Sequence, residues 1–117
     1  MRDYRQLLVW QKAHAGALNV YDLTRRSPAD ERFGLTSQLR RCAISVPSNI
    51  AEGAGRSSDP DFAHFLDIAS GSANELEYQL LLSCDLNYLD ATQHAAVSAQ
   101  ISEVRRLLTR FRQRLIS

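Results

Sequence analysis

Apolar residues recur at three- and four-residue steps in four stretches of this chain, and nowhere does a period of two persist long enough to argue a strand. In the first stretch Leu7, Trp10, Ala13, His14, Ala17, Tyr21 and Thr24 share one helical face. "RRSPADERFG" then breaks the period with Ser27-Pro28 and Gly34, giving the longest connection. The second stretch aligns Leu35, Leu39, Cys42, Ala43, Val46, Ile50 and Ala54, and ends among glycine and serine around Arg56. The third opens on a cap signal: Asp59 as cap, Pro60 at the first helical position, and Asp61 favoured at the positive end of the dipole. From there Phe62, Phe65, Leu66, Ala69, Ala73, Leu76, Leu80 and Cys84 form a long stripe. "NYLDATQ" turns the chain, with Asp90 and Gln93 at capping-box spacing. The fourth stretch, Val97, Ile101, Val104, Leu108, Phe111 and Leu115, has the alternating steps of a left-handed bundle seam.

Four amphipathic helices with mostly short connections predict an all-α, up-down-up-down four-helix bundle. At 117 residues the chain fits one domain spanning 1–117 around a single core. Pro47 falls inside the second helix. It removes a backbone donor and crowds the carbonyl of Ala43, which predicts a bend rather than a break, because the stripe keeps its phase from Val46 to Ile50.

Composition excludes some classes. Hydrophobic residues at 44% and charged residues at 23% are those of an ordinary globular domain and too apolar for a disordered chain. The longest leucine run, Leu80–Leu82, is far short of a membrane span. The opening "MRDYRQLLVW" lacks the apolar region of a signal peptide, so a cytoplasmic location is expected. Cys42 and Cys84 read as buried free thiols rather than a disulfide or metal pair.

The net charge of +1 conceals an asymmetry. Residues 59–104 carry eight acids and no Lys or Arg, whereas residues 105–117 carry five arginines and no acid. Thirteen of the fourteen basic residues are Arg, the side chain suited to bidentate pairing with carboxylate or phosphate. Arg106, Arg110 and Arg114 step by four on the side opposite Val104, Leu108 and Phe111, so they should face outward. Arg105 and Arg112 flank the core stripe and should pair with acids of the third helix such as Glu77 or Asp85.

The sequence contains no catalytic constellation. His14 sits on the expected core face, where a lone histidine reads as a hydrogen-bonded core residue. Asp61 and His64 are one turn apart, but no second Asp-x-x-His and no Glu-x-x-His accompanies them, so the di-metal bundle pattern is not met. There is no nucleophile elbow, phosphate loop or zinc spacing. No enzyme activity, metal or cofactor is expected.

The face of the second helix away from the core is unusually small. Arg41, Ser45, Ser48, Glu52 and Arg56 follow one another there, with Glu52 and Arg56 in the favourable order for an ion pair. On the third helix His64, Ile68, Gly71, Glu75 and Leu82 share an outer strip. Small and apolar residues where solvent should be predict a second interface, hence self-association.

The motif "LTSQLRRCAISVPSNIAEGAGR", with "LLVWQKAH" before it and "FLDIASGSANELEYQL" after, closely resembles the four-helix-bundle proteins encoded in 23S rRNA intervening sequences. Their relatives include accessory proteins of diversity-generating retroelements. The resemblance implies a ring of five subunits, a role in binding RNA or DNA, and, for retroelement members, a reverse-transcriptase partner. It places Asn49, Glu52, Gly53 and Arg56 in the family's "SNIAEG.GR" motif, Ser72 and Glu75 at polar positions of the third helix, and Trp10 and Ala13 in the first-helix motif. The expected function is a non-enzymatic, homo-oligomeric adaptor contacting nucleic acid through Arg106, Arg110 and Arg114, with Arg40 and Arg41 as the second candidate patch. The alternative is a self-assembling scaffold with no nucleic-acid surface, whose arginines only pair with acids.

Overall fold

The computed structural model describes residues 2–117. Among them there are four long helices and no strand: α1 (Leu8–Thr24), α2 (Leu35–Ala54), α3 (Asp59–Asp85) and α4 (Ala91–Ile116), with short 3-10 turns at Tyr4–Gln6 and Ala29–Glu31. Each helix packs against its neighbours in sequence, and α1 also packs against α4. The result is an elongated body of 43 × 24 × 20 Å around one apolar core.

The helix ends follow local chemistry. Asp90 accepts from the backbone N–H of Gln93 at 2.7 Å while the Gln93 side chain accepts from the Asp90 N–H at 3.0 Å, so the capping box forms as expected. The start of α3 lies one residue earlier than the sequence suggests. Ser58, not Asp59, is the cap, its hydroxyl accepting from Asp61 N–H at 3.3 Å, and Asp59 and Pro60 occupy the first turn. The N-terminus of α2 has Gly34 as its cap residue and no capping side chain of its own, and Glu31 supplies the acceptor by taking the Leu35 N–H at 3.2 Å.

The core is built from Ile50, Leu66, Leu76, Leu80, Val97, Val104, Leu108 and their neighbours, all essentially without solvent contact. Burial of each such side chain contributes about 1.5–3 kcal/mol. The stripes read for α2, α3 and α4 face this core. The stripe expected on α1 is out of phase: Val9, Ala13, Gly16, Val20 and Thr24 are the buried set, and Trp10, Ala17 and Tyr21 lie at its edge. His14 is exposed rather than in the core, stacked flat on Trp10 at 4.9 Å between ring centroids. α1 carries apolar residues on two adjoining stripes, and only packing against α2 and α4 selects between them.

α2 runs without interruption through Pro47, and Val46 and Ile50 on either side are both buried. The C-terminal half of α2 meets α3 at Gly53, where an added Cβ would lie 2.6 Å from Phe62 Cδ1 and 2.9 Å from Phe65 Cβ. Further along the same seam the Ser45 and Ser72 hydroxyls are 2.7 Å apart, and Asn49 Nδ2 donates to the Ser45 carbonyl at 2.8 Å and its hydroxyl at 3.0 Å. Cys42 Sγ, in turn, donates to Glu75 Oε2 at 3.1 Å. Ser45 with Ser72, and Cys42 with Glu75, thus tie α2 to α3 within the chain, while Asn49 bonds back onto Ser45 of its own helix.

Burial, and after it the Glu75 carboxylate, pushes the Cys42 thiol up to about 11 from its ordinary 9.0. Folding thus favours the protonated thiol. The associated stability is complete below the unfolded thiol's range and is lost as the pH rises through about 11. Cys42 should resist iodoacetamide in the native protein at pH 8, and Glu75→Gln should speed its alkylation by removing the neighbouring negative charge. Mass spectrometry of partially alkylated protein reads both results, and alkylation of native Cys42 as fast as in urea would contradict them.

Candidate nucleic-acid interface

α4 turns its last three turns of arginines in two directions. Arg105 Nη1 donates to Glu77 Oε2 at 2.8 Å, and Ser102 donates to the other oxygen of the same carboxylate at 3.0 Å. Arg112 makes a two-pronged contact with Asp67, Nη2 to Oδ2 at 3.1 Å and Nε to Oδ1. The expected pairing of Arg105 and Arg112 with α3 is thus present. The partner of Arg112, however, is Asp67 and not Asp85, because later turns of α4 lie beside earlier turns of α3.

Arg106, Arg110 and Arg114 are exposed, and none has a carboxylate partner among the described residues. They follow one another at four-residue steps along the outer side of α4, but they do not line one groove. Arg106 and Arg110 join Arg105 on an open groove of about 420 Å³ between α3 and α4, whose remaining lining is Ser70, Asn74, Ser102 and Thr109. Arg114 stands beyond its end, in a separate hollow with Arg2, Phe111 and Leu115. The groove therefore presents three guanidiniums, three hydroxyls and a carboxamide, with no aromatic ring and no carboxylate in its lining. Such a set can donate to phosphate oxygens and sugar hydroxyls, and offers nothing on which a base could stack. Ser70, Asn74, Ser102 and Thr109 carry no signal in the sequence, since each is an ordinary polar residue until α3 and α4 are side by side.

The second candidate patch divides likewise. Arg40 Nε donates to Thr24 Oγ1 at 2.9 Å and its guanidinium lies 4.6 Å above the Tyr21 ring, which fixes it in place. Arg41 is exposed.

The residues expected at a subunit interface are similarly dispersed. Ser48 is exposed, Glu52 and Arg56 form the expected ion pair at 2.8 Å, and Arg56 also covers the Phe65 ring at 4.7 Å. On α3, Ile68 is 39% exposed, Leu82 is half-buried, and an added Cβ at Gly71 would meet nothing within 4 Å. A second apolar surface, missed in the sequence, lies between α1 and α2, where Trp10, His14, Leu18, Ile44 and Pro47 line a groove of about 380 Å³. Its signal was the surplus apolar stripe on α1.

No group of three or more metal-ligating side chains occurs among the described residues, and no helix is long and apolar enough to cross a membrane. These features define an all-helical protein whose distinctive surfaces are charged or apolar grooves between helices. Its sequence matches the family model for 23S rRNA-intervening sequence proteins over residues 5–110, and the chain belongs to that family. It is also similar to a solved protein of unknown function from the S23 ribosomal protein family of Bacteroides thetaiotaomicron VPI-5482. The two share 27% identity and superpose with a TM-score of 0.84, covering 90% of this chain and 98% of the other. A comparison with curated proteins gives no match.

Proposed function

We infer that this protein is a non-enzymatic cytoplasmic adaptor that binds the phosphate backbone of RNA or DNA and does so as a homo-oligomer. The observation that carries the reading is the α3/α4 groove: two uncompensated arginines, Arg106 and Arg110, set among hydroxyl and amide groups, while Arg105 and Arg112 of the same helix are neutralised by α3. A groove without aromatic rings suits backbone and sugar contacts, the mode by which duplex RNA is recognised. One chain supplies few contacts, and repeating the groove around an assembly multiplies them without raising the charge of each subunit. Anisotropy of a labelled RNA duplex tests this. Binding at about 50 mM salt that falls steeply by about 200 mM supports the adaptor. Absence of binding at the lower salt favours the scaffold.

The assembly proposed is a five-membered ring of up-down-up-down bundles. A ring of five needs a heterologous contact, one patch meeting a different patch on the next subunit. Two such patches are at hand: the hollow between α1 and α2, and the outer strip of α3 through Ile68, Gly71 and Leu82. Gly71→Trp should dissociate the ring while leaving the helical content unchanged, since Gly71 has open space around it. Sedimentation velocity with circular dichroism measures both, and a wild type that sediments as a monomer at micromolar concentration would rule the ring out.

A further inference from the structure

The corner between α1 and α2 bears a second constellation, distant in sequence from the α4 groove and different in chemistry. Phe33 is 87% exposed, the most exposed large apolar side chain among the described residues. It stands on an open groove of about 510 Å³ shared with Tyr21, Arg32, Arg40 and Arg41 and the hydroxyls of Thr36 and Ser37. The Arg32 guanidinium lies 5.2 Å from the Phe33 ring centroid. With so little of the ring covered, its other face is open to solvent.

Charge distinguishes this groove from a plain apolar patch. None of Arg32, Arg40 and Arg41 has a carboxylate partner among the described residues, and no carboxylate lines the groove. The acid nearest in sequence, Glu31, is turned to other work: Oε1 accepts the Leu35 N–H, and Oε2 accepts the Tyr88 hydroxyl at 2.9 Å. Arg40 is anchored by Thr24 and Tyr21, so one positive charge is held in position before any ligand arrives. An exposed flat ring beside guanidiniums, one of them held in place, is the pairing that proteins use for unstacked nucleotides, the ring taking a base and the cations its phosphates.

We propose that this corner is a binding site for single-stranded nucleic acid, in which a base stacks on the free face of Phe33 and flanking phosphates are held by Arg32, Arg40 and Arg41. The site extends the nucleic-acid reading given above to unpaired strands, and it does not depend on the α4 groove. A groove of this volume is of the size that accommodates a small ligand such as one nucleotide. Arg40 and Arg41 thereby acquire a role at the corner, as the cationic wall of a stacking site rather than as an isolated patch.

The test compares two labelled RNAs, a single strand of about 12 nucleotides and a blunt duplex of the same sequence, by anisotropy at about 50 mM salt. Phe33→Ala should weaken single-strand binding roughly 5- to 100-fold, the effect of removing one stacked base, while duplex affinity stays within about twofold. Phe33→Trp should retain single-strand binding because it keeps the stacking face. Arg32→Gln with Arg41→Gln should lower the single-strand salt slope by about 1.4, or about 0.7 for each phosphate no longer neutralised. Full single-strand affinity in Phe33→Ala overturns the proposal. So does a lower oligomer mass in that variant at unchanged helicity, which would make Phe33 a subunit contact. Wild type that binds the duplex but no single strand overturns the corner site alone and leaves the α4 groove standing. Phe33-dependent single-strand binding without duplex binding supports the corner and removes the groove.

Discussion

Gly53→Ala should lower the melting temperature by several degrees, up to roughly 10 °C, and Gly53→Leu should prevent cooperative folding. The added methyl would lie 2.6 Å from Phe62 Cδ1 and 2.9 Å from Phe65 Cβ. Neither neighbour can easily move. Phe62 is 2% exposed and packs on Phe111 at 5.3 Å, and a Cβ atom moves only with its backbone. Overpacking of this kind costs about 1–3 kcal/mol, offset in part by the gain of about 1 kcal/mol for alanine over glycine in a helix. A domain of this size loses about 3–6 °C per kcal/mol. Gly71→Ala supplies the contrast: with open space at that position the same exchange should stabilise the subunit by up to about 1 kcal/mol. Thermal denaturation of both variants measures the difference, and a Gly53→Ala protein that melts at or above the wild type would disprove the tight α2/α3 contact.

Arg106→Gln combined with Arg110→Gln should reduce affinity for an RNA duplex by roughly 100-fold or more, taking about 1.5–3 kcal/mol for each hydrogen-bonded charge removed. The salt slope should fall by about 1.8, near 0.9 for each phosphate left unneutralised. Stability should barely change, because both side chains are exposed and pair with no acid among the described residues. Arg114→Gln should matter less, since Arg114 lies outside the groove. Arg112→Gln tests the opposite role. It breaks an exposed pair with Asp67 and should cost at most about 1 kcal/mol of stability with little loss of binding. Should the double variant bind the duplex as wild type does, the α3/α4 groove is not the contact surface.

Much of the fold was legible because its signals are local. Pro60, the Asp90/Gln93 box and Gly34 each act within a turn of where they stand, and the boundaries of α2, α3 and α4 follow them closely. The phase of α1 was not legible for a physical reason. Leu7, Leu8, Val9 and Trp10 in a row, with alanine and glycine beyond, give two competing apolar stripes whose choice belongs to the partners. The same ambiguity hid the groove between α1 and α2, and it placed His14 in the core when it lies on that groove. Pairing of Arg105 and Arg112 with α3 could be read from their position beside the core stripe, but identifying Asp67 required the register of two helices. The small outer residues of α2 point, in the sequence, to a second interface between subunits. Within the chain Ser45 bonds to Ser72 of α3, and Asn49 bonds back to Ser45. Phe33 carries no signal in the sequence because it falls in a connection, where an aromatic residue between arginine and glycine has no periodicity to betray it.

The central claim, an oligomer that carries nucleic acid on an arginine groove, is tested most directly by sedimentation velocity of a labelled RNA duplex with the wild-type protein at rising salt. At about 50 mM salt the label should move with a particle of several subunits, and by about 200 mM it should return to the rate of free RNA while the protein remains assembled. RNA that sediments freely at the lower salt beside an intact oligomer would contradict the account and leave a scaffold.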